Sequence, residues 1–145
     1  GIDKDMAVIS SRGIVGIIRD VSKNFSSVIS VLHKDAKVSA KIKKNNYIGT
    51  LVWNGIDYRI ANLNDIPTHV NLSVGDTVIT SGYSFLFPEG IMVGVIKDFN
   101  IRQGENFYTI KLEFSEEYNS LNYVYVVSNL MKEEQMQLQE EQQND

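Results

Sequence analysis

The chain has 145 residues, 43% of them apolar, no cysteine and a formal net charge of −4. That leaves room for one ordinary domain or two very small ones. It excludes disulfides, thiolate metal sites and a cysteine nucleophile.

The charge is unevenly spread. From Lys132 to Asp145 one Lys stands against four Glu and one Asp, so residues 1–131 carry 13 basic and 13 acidic groups and are neutral. A neutral body with an acidic tail lacks the basic face of a nucleic-acid binder. No stretch approaches the roughly 18 to 20 apolar residues needed to cross a bilayer, and no secretory signal precedes the first strand-like run. The start at Gly1-Ile2-Asp3-Lys4-Asp5 is that expected of an excised fragment, with any anchor upstream of it.

In chain order, strand signals dominate. Ala7 to Ser11 and Gly13 to Val21 are β-rich, and Val28 to Val31 is a short run of the same kind. Val38, Ala40 and Ile42 alternate with Lys37, Ser39, Lys41 and Lys43, which predicts a half-buried strand with a solvated lysine face. Tyr47 to Trp53 and Asp57 to Ala61 follow, with Asn54-Gly55 between them as a two-residue hairpin signal. Val74-Gly75-Asp76 is a tight-turn signal into Thr77 to Thr80. Ile91 to Ile96, Phe107 to Phe114 and Tyr123 to Val127 complete the series. No window before the tail shows a 3.6-residue apolar period, so the class is all-β. The tail, residues 129–145, is acidic and rich in Gln and Glu. From Met131 to Asp145 its apolar residues are Met131, Met136 and Leu138; that is too little surface to fold alone, and the tail reads as disordered.

The chain also repeats itself. Ala7 to Ser11 resembles Thr77 to Ser81, and Gly13 to Val21 resembles Gly90 to Phe99. The offset is 70 in the first part and 78 at the paired glycines Gly16 and Gly94, an insertion of eight residues. Two copies of a three-strand unit predict a pseudo-symmetric six-stranded barrel, because closure removes unpaired edges. The mid-strand glycines Gly16 and Gly94 predict bulges or close backbone approach. The expected arrangement is two small β-barrel-like lobes within residues 1–128. The outer lobe comprises about 1–31 plus 71–128 and the central lobe about 32–70.

Catalytic patterns are weak. Ser10, Ser11 and Ser81 lack a Gly-x-Ser-x-Gly elbow, and His33 and His69 have neither an oriented partner nor a metal-ligand spacing. Asp20 and Asp98 fall at equivalent repeat positions, each after a basic residue, where turn capping or a cross-strand ion pair outweighs acid–base work. Gly13-x-x-Gly16 lacks the Lys and Ser/Thr of a phosphate loop. The reading is of no catalytic residues, no metal and no cofactor. The rivals are a hydrolase on a trypsin-like barrel and a small carbohydrate-binding β module. The latter requires a concave pocket with convergent polar groups and aromatics.

What stands out is the inserted loop. Tyr83, Phe85, Leu86, Phe87 and Pro88 lie between Ser81-Gly82 and Glu89-Gly90, turn formers on both sides. Aromatics beside a rigid proline lose little entropy on docking. The five residues are read as a partner-binding or lobe-packing cluster. Gly13, Gly16, Gly75, Gly82, Gly90 and Gly94 are read as structural turn and strand glycines.

Met6 to Ile9, Gly13 to Ile18, Ser27 to Val31, Val74 to Gly82 and Phe87 to Gly94, in this order, resemble the extracytoplasmic region of the MreC family of bacterial rod shape-determining proteins. The resemblance spans about residues 1–128. Its most specific part is Thr80-Ser81-Gly82 with Phe87-Pro88, Gly90, Val93 and Gly94. Tyr83 to Leu86 stand where that family often has a glycine-rich stretch, and Glu89 where it often has a second proline, so the loop here is bulkier. The resemblance implies a non-catalytic scaffold of the cell-elongation machinery on the extracytoplasmic (periplasmic) face of the cytoplasmic membrane. The full-length protein would be single-pass anchored by an N-terminal helix absent from this sequence. The implied partners are a penicillin-binding transpeptidase, RodA, MreD and the MreB system, together with self-association into homodimers.

Overall fold

The computed structural model describes residues 2, 6–33, 36–83, 87–121 and 123–127. The expected disordered tail, residues 129–145, lies outside the described residues. Ten strands run β1 (Ala7–Ile9), β2 (Ile14–Val21), β3 (Ser26–Ser30), β4 (Lys37–Ile42), β5 (Ile48–Val52), β6 (Ile60–Asn64), β7 (Thr77–Thr80), β8 (Met92–Asn100), β9 (Thr109–Phe114) and β10 (Tyr125–Val127). Among the described residues the helical structure is one 3₁₀ turn, Tyr118–Ser120. The expected all-β class holds.

The barrel closes in the order β4-β5-β6-β9-β8-β7, and a separate four-stranded sheet has the order β10-β1-β2-β3. Alternation explains the barrel. Val38, Ala40 and Ile42 on β4, Ala61 and Leu63 on β6, and Ile110, Leu112 and Phe114 on β9 all point inward and are buried. Every second residue faces the same side of a strand. Small residues mixed with large ones fit the narrowing interior of so small a barrel.

The repeat is real at the level of register, but its two copies do not close on each other as expected. β1 pairs β2 through Val8↔Gly16, with a bulge between Val8 and Ile9; β7 pairs β8 through Val78↔Gly94, with a bulge between Val78 and Ile79. The next pairs match too, with bulges between Ile18 and Asp20 and between Ile96 and Asp98. The second copy, β7-β8-β9, is half of the barrel, and β4-β5-β6 is the other half. The first copy, β1-β2-β3, stays open and takes β10 as its fourth strand. The expected central lobe over residues 32–70 therefore does not pair as a separate unit. The reason lies in the third strands. β9 carries three buried apolar residues, whereas β3 reads Ser-Ser-Val-Ile-Ser and is largely exposed. It has no apolar face to close against.

The mid-strand glycines mark close backbone approach. A methyl group on Gly16 would lie 2.3 Å from the carbonyl oxygen of Ile29, and one on Gly94 would lie 2.1 Å from that of Glu113. Both are shorter than any real side-chain contact, so the strand crossings demand glycine.

Asn54-Gly55 is not a two-residue hairpin turn. It lies in the longer connection from β5 to β6, which Trp53 holds by donating from Nε1 to the Asp57 carbonyl at 2.8 Å. Arg59 forks onto the Asp57 carboxylate at 3.1 Å, and this hydrogen bonding holds that carboxyl below its ordinary value. The indole and guanidinium outcompete the local turn preference.

The two sheets share one core. Ala7, Ile14 and Val31 of the open sheet join the barrel's buried cluster. Its other face is thinly covered: Val8, Val15 and Ile18 are buried there with Met6 and Leu121 packed against them.

Candidate interaction surface

The loop between β7 and β8 is pinned at both ends. At its start the Thr80 side chain is fully buried. Its hydroxyl donates to the Pro88 carbonyl at 2.6 Å and accepts from the Ile91 amide at 2.8 Å. Such a buried hydroxyl is tolerated because both its roles are filled. Ser81 follows, its Oγ 2.7 Å from that of Ser39 and 3.0 Å from the Tyr83 amide that donates to it. Lys41 on β4 pairs with Glu89. The loop is thereby tied to β4 as well as to its own strands. Gly90, at φ 93°, makes the left-handed turn into β8 that a side chain would strain.

Between these ties the loop divides its side chains. Phe87 is 2% exposed and is among the largest fully buried side chains of the main core. Pro88 is half-buried. Tyr83 is 72% exposed. Phe85 and Leu86 lie outside the described residues. The described residues of the sequence cluster thus have divided placements, with Phe87 buried, Pro88 half-buried and Tyr83 exposed. Of the expected structural glycines, Gly75 (φ 94°) and Gly82 (φ 75°) turn the chain at the start of β7 and of the loop. Asp76 beside Gly75 accepts from the Ser73 amide at 2.8 Å and pairs with Lys44 at 2.8 Å.

Gly13 lies where the two sheets meet. A methyl group there would fall 2.5 Å from the Met92 carbonyl oxygen and 2.7 Å from Ser115 Oγ. The segment after β9 completes this junction. Ser115 Oγ donates to the Arg12 carbonyl at 2.7 Å, and Tyr118 Oη donates to the Ile14 carbonyl at 2.9 Å. Ser10 Oγ bonds the Glu116 carboxylate and accepts from the amides of Arg12 and Gly13 at 3.1 and 3.2 Å. Ser10 caps the short β1–β2 connection as Thr80 caps the long one. The two hydroxyls at equivalent repeat positions were the available signal for this role. Nothing in the periodicity of Ser115 to Tyr118 announced the junction.

The residues weighed for chemistry are scattered. His69 sits edge-on to Tyr47, with ring centroids 5.8 Å apart, while Ser81 lies against Ser39. Asp20 pairs across to Ser27 and Asp98 to Lys111, in different sheets. Each occupies an exposed strand position just after a bulge. Among the described residues no group of three or more His, Cys, Asp or Glu is placed to hold a metal ion.

Comparison with known proteins gives a consistent result. The family model described as rod shape-determining protein MreC, barrel core, matches residues 1–128. The cell shape-determining protein MreC of Listeria monocytogenes is 31% identical over 100 residues, covering 67% of this chain and 34% of its own length. That of Escherichia coli is 27% identical over 110 residues, covering 76% of this chain and 29% of its own. The chain thus spans about a third of the length of these relatives. A solved MreC structure from Listeria monocytogenes superposes with a TM-score of 0.82 at 26% identity, covering 89% of this chain and 63% of that one. A solved complex between the penicillin-binding protein PBP2 and MreC from Helicobacter pylori matches with a TM-score of 0.70 at 20% identity, covering 90% and 82%. With the paired bulges and the closed barrel in place and the family model matched over residues 1–128, the chain belongs to the MreC family, of which it carries the barrel core.

Proposed function

We propose that this chain is the partner-binding part of a cell-shape scaffold and that it organises wall-synthesis enzymes without catalysing a reaction itself. The observation that carries this reading is the division of labour in the β7–β8 loop. Thr80 and Phe87 anchor the two ends of the loop on the barrel while Tyr83 is left 72% exposed. A tyrosine beside such an anchored end offers a large amphipathic contact with only two side-chain torsions to order. The solved complex of a relative with PBP2 supports a penicillin-binding transpeptidase as the partner class. A structure solved as the major periplasmic domain of a cell shape-determining filament supports an extracytoplasmic site of action and self-association. RodA, MreD and the MreB system belong to the same proposal, on family membership alone. Scaffolding of this kind acts by mass action, since binding one conformation of the enzyme more tightly raises its population.

The test is affinity capture of the membrane-anchored parent protein, followed by identification of what accompanies it. Recovery of a penicillin-binding transpeptidase, lost with Tyr83→Asp, is the expected result. Recovery unaffected by that change removes the loop from the interface, and absence of any wall-synthesis enzyme removes the scaffold reading.

A further inference from the structure

Glu116 is a carboxylate in an unusual position. It is 7% exposed, and its recorded partners are neutral: the Ser10 hydroxyl and the Glu117 amide, which donates to it at 2.9 Å. Among the described residues no cation pairs with it. Arg12, which lines the same cavity, pairs with the neighbouring Glu117 at 3.5 Å instead. A buried carboxylate retains acceptor capacity beyond two hydrogen bonds, and burying its charge without a counter-charge is costly.

Glu116 lines a cavity of about 330 Å³ together with Ser10, Ser11, Arg12, Tyr123 and Tyr125. Tyr123 stands two residues before Tyr125, which opens β10, and both line the same cavity. They are 82% and 58% exposed. Aromatic rings beside a carboxylate attract a cation. The volume is at the small end for ligand sites, which suits a single head group.

We propose that this pocket binds a monovalent organic cation, an alkylammonium or guanidinium head group seated between Tyr123 and Tyr125 with its N–H groups on Glu116. The same chemistry has two sources, a basic side chain of a partner polypeptide or a free small cation. Only the first rests on the scaffold reading.

The test uses the whole chain, labelled with ¹⁵N, titrated with methylguanidinium chloride and, at matched ionic strength, with neutral methylurea. Saturable shifts of the Ser11, Arg12 and Glu117 amides with methylguanidinium alone are expected. Glu116→Gln, which keeps the volume and one acceptor oxygen, should weaken binding about tenfold or more, as loss of a charge-assisted bond does. Tyr123→Ala should weaken it several-fold with an unchanged melting temperature, since Tyr123 is mostly solvent-exposed. If Glu116→Gln fails to fold, the Tyr123→Ala titration decides. An acetylated Gly-Arg-Gly amide that binds at least as tightly as methylguanidinium identifies a partner's side chain as the source; weaker binding of the peptide identifies a free cation. Equal response to methylurea, no saturation, or undiminished affinity in the folded variants overturns the proposal. None of these outcomes bears on capture of a transpeptidase through Tyr83.

Discussion

Tyr118 donates its hydroxyl proton to the carbonyl oxygen of Ile14 at 2.9 Å, and this bond ties the end of the barrel to the open sheet. The ring is held edge-on by Phe114, centroid to centroid 5.0 Å. Tyr118→Phe keeps the packing and deletes the bond. It should lower stability by about 1 kcal/mol, the net value of one such hydrogen bond. Urea unfolding with an unchanged m-value is the appropriate measurement.

The same residue gives the fold an alkaline limit. Burial pushes the Tyr118 hydroxyl well above its ordinary value, and the charge of Glu116 adds to the effect. The folded chain therefore holds this proton more tightly than the unfolded one. Its contribution is complete below a pH of about 10, the unperturbed tyrosine value, and is lost as pH rises beyond it. Stability should fall between pH 10 and 11.5, and the fall should be shallower in Tyr118→Phe. An identical slope in both proteins contradicts the assignment.

Thr80→Val removes a hydroxyl at nearly constant volume. The Pro88 carbonyl and the Ile91 amide then lose a partner, at about 1 to 3 kcal/mol for buried groups left unsatisfied. Hydrogen exchange at the Ile91 amide should accelerate more than exchange in β4 or β6. Uniform acceleration would mean that Thr80 supports the whole barrel and not this loop in particular.

Phe87→Ala should cost about 3 to 5 kcal/mol, as for other large buried aromatics. Tyr83→Ala should stay within about 0.5 kcal/mol because the side chain is exposed. Thermal melts of the two variants separate an anchor from a contact residue. A large loss with Tyr83→Ala would make that residue part of the packing and withdraw it as a contact.

Gly94→Ala places a methyl group against the Glu113 carbonyl with nowhere to go, and should destabilise by about 3 kcal/mol or more, the upper range for overpacking. Gly90→Ala meets no atom within 4 Å. It should cost only the left-handed backbone penalty of about 1 to 2 kcal/mol. Denaturant midpoints rank the pair, and equal losses would mean that the β8–β9 crossing is loose.

Much of this was legible in the residues. Alternation placed β4 and β7 almost to the residue, and β9 to within two at its start, since one face of each is buried. The repeat of Val8 and Gly16 in Val78 and Gly94 exposed two identical registers, because only glycine permits those crossings. How the registers combine was not legible. That depends on the polarity of β3 against β9, a comparison between strands far apart in sequence. Asn54-Gly55 misled because Trp53 and Arg59 organise a longer turn. In the loop, the sequence shows five candidate contact side chains; burial then separates Phe87 from Tyr83. The junction of Ser10, Glu116 and Tyr118 is a long-range arrangement with no local pattern to announce it.

The account rests on this chain acting by docking. The most direct measurement is binding of the purified chain to the extracytoplasmic domain of the penicillin-binding transpeptidase from the same cell, by surface interferometry. The account predicts saturable binding that Tyr83→Asp weakens while the melting temperature stays the same. Absence of saturable binding by the folded chain would contradict it.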